Sequence, residues 1–333
     1  MVDNFKMQRH NYPILDSDTT AYYICYATAG SVKLAGDFTN WSPSLSLNPV
    51  IGTDLWYYKG QYPRDGRIEY KFIIDGQWGL DALNPSKALG GFGANSELKM
   101  PAYRESDLLQ AIRNVPKGLL SDHELYSNSC KELRYFKIYL PADYQESNKQ
   151  YPVVIYHDGE DYLAYTGILT ILDNLSFSPI NLPLIAVFVK PVQRDPEYSG
   201  KRQEAYTAFI VNELMPYLEK NYRILSGPEN HVISGISNGG NIALWISGKY
   251  PDIFGKVAVH SSNIEKSIFK LYKKEKFRLQ GCIWISESMI SLHYKPCTRV
   301  LPVCWPGKTS PMLKIPFPAG TAGMPGKTRW GRL

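Results

Sequence analysis

Gly235-Ile236-Ser237-Asn238-Gly239 sets a serine between glycines, with the apolar lead-in Val232-Ile233 before it and a helical pattern from Asn241 to about Lys249 after it. That order is strand, sharp turn, helix. A serine at such an elbow stands its hydroxyl out of the sheet, while the glycines let strand and helix pack closely. Once a base removes its proton, the hydroxyl can attack a carbonyl carbon. Ser237 is therefore the candidate nucleophile. The competing reading is a merely tight turn, because the bare pattern arises by chance in about one chain in ten of this length. Attack leaves an oxyanion that needs two backbone N–H donors, and Asn238, the residue after the serine, carries one of them.

The elements around this elbow alternate. Leu133–Leu140 reads as a half-buried strand, and Val153-Val-Ile-Tyr156 and Leu184–Val189 are continuous apolar runs of the kind buried in a parallel sheet. Glu204 to Tyr222 repeats Tyr206, Phe209, Ile210, Tyr217 and Leu218 on one helical face, with a kink expected at Pro216. Lys256–His260 is the next strand. Strands alternating with helices imply a doubly wound α/β sheet. Earlier, from Ala21 to about Met100, the chain is all strand and turn: Ala21–Ala27, Ser31–Gly36, Leu55–Gly60, Arg67–Asp75 and Ser96–Lys99. Short strands at this spacing imply an antiparallel β-sandwich. The expected organisation is a lead-in at 1–19, a sandwich at 20–101 and a connector at 102–129 with a helix at Ser106–Asn114. An α/β domain at 130–280 and an aberrant tail at 281–333 follow.

Two resemblances sharpen this reading. Val32-Lys-Leu-Ala-Gly-Asp-Phe-Thr-Asn-Trp41, Tyr70-Lys-Phe-Ile-Ile-Asp-Gly-Gln-Trp78 and Asn95 resemble the early-set, immunoglobulin-like sandwich of glycogen-binding modules. That module also precedes the catalytic domain in enterochelin-esterase-type proteins. Trp41, Lys71 and Trp78 match the positions of the family's sugar platform, where indole faces stack on pyranose rings and a lysine donates to hydroxyls. The competing reading is that these tryptophans only pack the sandwich or its contact with the next domain. Asn212-Glu-Leu-Met-Pro-Tyr-Leu-Glu-Lys-Asn-Tyr-Arg223 resembles the helix before the elbow in enterochelin-esterase and esterase-D-like enzymes. His157-Asp-Gly-Glu-Asp161 resembles their oxyanion loop, which implies a second donor at Gly159 or Glu160. Together these features, over about residues 20–275, imply an α/β-hydrolase fold and a serine esterase acting on a small-molecule ester through an acyl-enzyme. Siderophore esters, feruloyl or acetyl sugars and small thioesters all stay open.

The family order is Ser, acid, His. His157 precedes Ser237 and reads as a fold residue, as does His260 at a strand end. Only His293 follows Lys276, without a recognisable context. From Gly281 onward there are seven basic residues, one acid (Glu287), seven prolines and six glycines, so the tail carries the whole net charge of +6. The preceding body is neutral, which removes the case for a nucleic-acid partner. Single-codon residues suggest a cause. Read one base early, Trp284-Ile285 and Met289-Ile290 each become a forced aspartate, and Ala319–Gly323 can read Gly-His-Ser-Trp. A slipped reading frame near Gln280 is the expectation, against a genuine divergent tail, and sequencing codons 270–290 decides between them. The chain as written is then an impaired hydrolase, and the tail is poorly ordered. The alternative function is an α-glucan-binding protein with an inert esterase scaffold. Five cysteines show no metal spacing, and no cofactor or metal is implied. No run reaches the ~20 apolar residues of a membrane span, and the N-terminus lacks a signal core, so the cytoplasm is the expected location. Oligomeric state is left open.

Overall fold

A computed structural model describes residues 12–91, 93–178, 181–260, 262, 264–274 and 281–285. The chain forms two compact units whose leading segments are Met1–Glu105 and Ser106–Glu287.

Among the described residues the first unit has ten strands: β1 (Ile14–Ser17), β2 (Thr20–Tyr26), β3 (Val32–Gly36), β4 (Leu45–Ser46), β5 (Asn48–Pro49), β6 (Leu55–Gln61), β7 (Arg67–Ile74), β8 (Gln77–Gly79), β9 (Lys87–Ala88) and β10 (Asn95–Lys99). They make a sheet ordered β1-β2-β6-β5 and another ordered β4-β3-β7-β10-β9, with β8 on β7. Alternate residues of β2, Ala21, Tyr23 and Cys25, share one core with Leu34, Ile68, Tyr70 and Phe72 of the second sheet. β1 lies inside the expected lead-in and corrects it. Its residues are mostly exposed, so they carry no alternating signal, yet Leu15 pairs with Ala21.

Among the described residues the second unit is built on one seven-stranded sheet. Its elements are β11 (Leu119–Ser127), β12 (Glu132–Leu140), β13 (Val153–His157), α1 (Gly159–Tyr165), α2 (Ile168–Phe177), β14 (Ile185–Val189), α3 (Arg194–Tyr198), α4 (Gln203–Ala208), α5 (Met215–Asn221), β15 (His231–Ile236), α6 (Asn238–Lys249), β16 (Lys256–His260), α7 (Lys266–Lys274) and β17 (Gly281–Ile285). The order is β11-β12-β14-β13-β15-β16-β17. β12 pairs antiparallel with β11 and β14, and the remaining pairings are parallel.

The continuous apolar runs follow from burial on both faces. Val153, Ile155, Val187 and Ile233 enter a core with Phe209, Ile210, Leu214 and Ile242, while Val154, Ala186 and Phe188 enter another with Tyr162, Ile168 and Leu172. Each such side chain contributes about 1.5–3 kcal/mol over an exposed one.

Four expectations need correction here. The connector is shorter than 102–129, because β11 pairs with β12 along its whole length; its exposed, polar residues mark an edge strand rather than a linker. The helix expected at Ser106–Asn114 is a single 3₁₀ turn, Asp107–Leu109, capped by Ser106 Oγ accepting from Leu108 N–H. The helix expected at Glu204–Tyr222 runs as α4, a π-helical segment at Phe209–Leu214, and α5. Pro216 lacks an N–H and would clash with the carbonyl four residues back, and the widened turn just before it accommodates both effects. Finally, the α/β sheet does not stop at 280. Gly281–Ile285 forms β17, paired from Lys256↔Gly281 to His260↔Ile285, so the tail begins as a strand. The rest of the tail, with His293, Glu287 and the shifted-frame matches, lies outside the described residues apart from Trp284 and Ile285.

Candidate active site

Ser237 joins β15 to α6 with φ 53° and ψ −120°, a left-handed-side conformation that costs a serine about 1–3 kcal/mol. The surroundings fix it. Its N–H donates to the His260 carbonyl at 2.9 Å, and its own carbonyl accepts from Gly240 N–H at 3.0 Å, Asn241 N–H at 3.3 Å and Ser262 Oγ at 3.1 Å. Strand and helix cross so closely that a Cβ on Gly235 would lie 2.2 Å from the Gly239 carbonyl carbon, which is why glycine stands there. Ser237 is half-buried at the C-terminal end of the parallel strands. Because Gly240 and Asn241 point their N–H groups back to Ser237, the N–H groups of Asn238 and Gly239 are first-turn donors with no acceptor inside the helix.

The second expected donor segment follows β13. The loop read from the sequence is a helix start: Asp158 adopts φ 54° and Gly159 and Glu160 open α1. Asp161 and Tyr162 donate to the Asp158 carbonyl, so the Gly159 and Glu160 N–H groups also have no acceptor inside their helix. Glu160 pairs through its side chain with Lys190 at 3.0 Å.

Short helix α3 touches both segments. Arg194 donates from Nε to Asp158 Oδ1 and from Nη2 to Oδ2, each at 2.8 Å, and Asp158 N–H donates to the Tyr198 hydroxyl at 3.0 Å. Across the gap, the Asn238 side-chain amide donates to Asp195 Oδ1 at 3.0 Å and to Ser199 Oγ at 3.2 Å. The helix itself is held from below. Glu197 and Arg134, both fully buried, form a two-point ion pair at 2.7 and 3.0 Å, and Glu197 also accepts from Val192 and Gln193 N–H at 3.2 Å. Nothing in the sequence singled out these α3 residues. The one local signal is that Arg194 and Asp195 follow a buried parallel strand, where ligand loops gather.

Of the four histidines among the described residues, three have ring nitrogens hydrogen-bonded to other groups, and the fourth, His260, has a ring contact only. His157 is fully buried with Nδ1 at 2.9 Å from the Tyr206 hydroxyl, and burial pushes its pKa down to about 3, so it is a neutral fold residue. Both His231 nitrogens face carbonyls, of Ile253 and Leu225, at 3.0 and 2.9 Å. His123 meets Ser121, Tyr217 and Tyr222 on β11 and the helices beside it. His260 packs its ring edge-on to Tyr162, and burial lowers its pKa.

In the first unit, Lys71 on β7 and Trp78 on β8 share a sheet face, since Trp78 sits opposite Ile73 and Lys71 is two residues from it. Trp78 is 49% exposed. Trp41 is half-buried and donates its indole N–H to Asp37 Oδ1 at 3.2 Å. A cavity of about 550 Å³ lies instead in the second unit, beside α1, lined by Tyr135, Lys137, Phe188, Lys190, Leu163 and Glu160; Ser237 does not line it. Among the described residues no cluster of three or more metal-ligating side chains forms, and Cys25 and Cys130 are free thiols. No described helix is long and apolar enough to cross a membrane.

The family model described as "Putative esterase" matches residues 127–321. The chain belongs to this esterase family, whose α/β-hydrolase sheet it carries. An enterochelin esterase from Shigella flexneri superposes with a TM-score of 0.65 at 18% identity, over 86% of this chain and 92% of that one, a likeness of fold. The chain is 28% identical over 156 residues to the uncharacterized protein YbbA of Bacillus subtilis, matching 42% of this chain and 59% of that protein's length. It is also 28% identical over 133 residues to the esterase Rv1288 of Mycobacterium tuberculosis, covering 37% of this chain and 28% of that one.

Proposed function

We propose that this chain is a serine hydrolase of small carboxylic esters that works through an acyl-enzyme at Ser237, with low turnover in the chain as written. The observation that carries this reading is the forced backbone of Ser237, at φ 53° and ψ −120° at the C-terminal end of the sheet. Asn238 and either Gly159 or Glu160 would stabilise the oxyanion. Low turnover follows from the base. No ring nitrogen of a described histidine is hydrogen-bonded to Ser237, and a serine without a histidine and its acid retains only binding and oxyanion donors, worth about 10³–10⁴-fold over water.

The test uses the purified 333-residue protein. A fluorophosphonate should leave its adduct on Ser237, located by mass spectrometry, and Ser237→Ala should abolish it. Turnover of para-nitrophenyl acetate should fall well below the usual range of about 1–10³ per second. An adduct on another residue removes the nucleophile; Ser237-dependent turnover above about 1 per second removes the impairment.

A second reading is favoured by Trp78, whose indole is half exposed on the same sheet face as Lys71. This early-set, immunoglobulin-like unit would hold an α-glucan on Trp41, Lys71 and Trp78. Co-sedimentation with glycogen should then be lost in Trp78→Ala, and equal sedimentation of the two proteins would dismiss it.

A further inference from the structure

Helix α3 reaches both donor segments through hydrogen bonds from a single short element: Arg194 and Tyr198 to Asp158 on one side, Asp195 and the following Ser199 to Asn238 on the other. The two segments are also nearly in contact, because a Cβ on Gly239 would lie 2.7 Å from Asp158 Oδ2. Asp158 is the residue immediately before Gly159, and Asn238 the residue immediately after Ser237. Their side chains are directed into α3, where a charge-assisted fork and a pair of amide bonds fix them.

We propose that α3 is a clamp that sets the separation of the two oxyanion donors, with Arg194 and Asp195 as positioning residues. The proposal rests on the reading of Ser237 as nucleophile. Asp158 sits at φ 54° with its side chain capping nothing in α1, so the turn's orientation is set by what holds the carboxylate. A guanidinium bonded at two points fixes both direction and distance, which a single lysine ammonium cannot do. The clamp has a rigid base, because another residue of the same helix, Glu197, is locked to buried Arg134. A tetrahedral oxyanion needs both donors within hydrogen-bond reach of one atom, and a misplacement of about 1 Å can cost about 10²-fold in rate.

The test compares the full chain with Arg194→Met, and with Asp158→Asn as a second variant that keeps the size of the side chain. Two readouts are taken: the rate of fluorophosphonate labelling of Ser237, and hydrogen–deuterium exchange by mass spectrometry. Labelling should slow by about 10²-fold in Arg194→Met. Exchange should quicken in peptides spanning 158–162 and 238–241, while strands β13 and β15 keep their protection. Labelling at the parental rate, or exchange that quickens equally through β13 and β15, overturns the clamp while leaving the nucleophile standing. A parent chain that is not labelled at Ser237 overturns the functional reading and the clamp with it. Should Arg194→Met fail to fold, Asp158→Asn is measured in its place, with the same slowing expected and the same two results overturning the clamp.

Discussion

His157 shows how a residue with catalytic credentials becomes structural. It ends a central strand beside the elbow, but its ring lies in the core against Tyr206 and is pushed to a pKa of about 3 by burial. The unfolded chain, with a pKa near 6.5, binds a proton that the folded form refuses. Stability is therefore full above about pH 6.5 and falls as pH drops toward 3, by up to about 1.4 kcal/mol per pH unit. His157→Asn removes this contribution, so urea unfolding of the variant should show a flatter loss of stability between pH 6.5 and 4 than the parent. Identical slopes would mean that the imidazole is charged in the fold. The residue's type and position were legible in the sequence, and so was its fold role, because chain order excluded it as the base. Arg194 and Asn238 are different. Their partners lie 36 and 43 residues away, and no local pattern records such a meeting.

Elements with a single hydrophobic period could be read; those defined by their neighbours could not. β13 and β14 are apolar because both faces are covered, and their bounds stand within a residue or so of the apolar runs. β11 alternates polar residues on an edge and read as a connector. Helix α3 is five residues long, too short to show a face, and owes its place to the Arg134–Glu197 pair. Removing one member of a buried pair leaves the other uncompensated and costs about 3–5 kcal/mol. Glu197→Ala should therefore lower unfolding free energy by that amount in a denaturant titration, and should slow Ser237 labelling as well, since the clamp loses its footing. A variant as stable as the parent would show that the bond Arg134 already makes to Glu132, at 2.9 Å, is enough to compensate its charge.

Over the whole chain, the sequence made both units visible but misplaced their edges. The strands of the first unit were legible because turn residues punctuate them, while β1 was hidden by its exposure and β17 by the composition of the tail around it. The family match running to residue 321 and the pairing of β17 extend the esterase unit past the composition break at 280. What the sequence left unassigned, the acid and the histidine, is not assigned by the described strands either.

Glycine would sit at position 237 with almost no torsional penalty, and its extra freedom in the unfolded chain costs only about 0.5–1 kcal/mol against the 1–3 kcal/mol of strain it would relieve. Rigidity and reactivity thus pull in opposite directions at a single side chain. A scaffold selected only to persist would gain by giving up the hydroxymethyl group, so its presence is a standing tension, contained by the bonds that Ser237 makes to His260 and accepts from Gly240, Asn241 and Ser262.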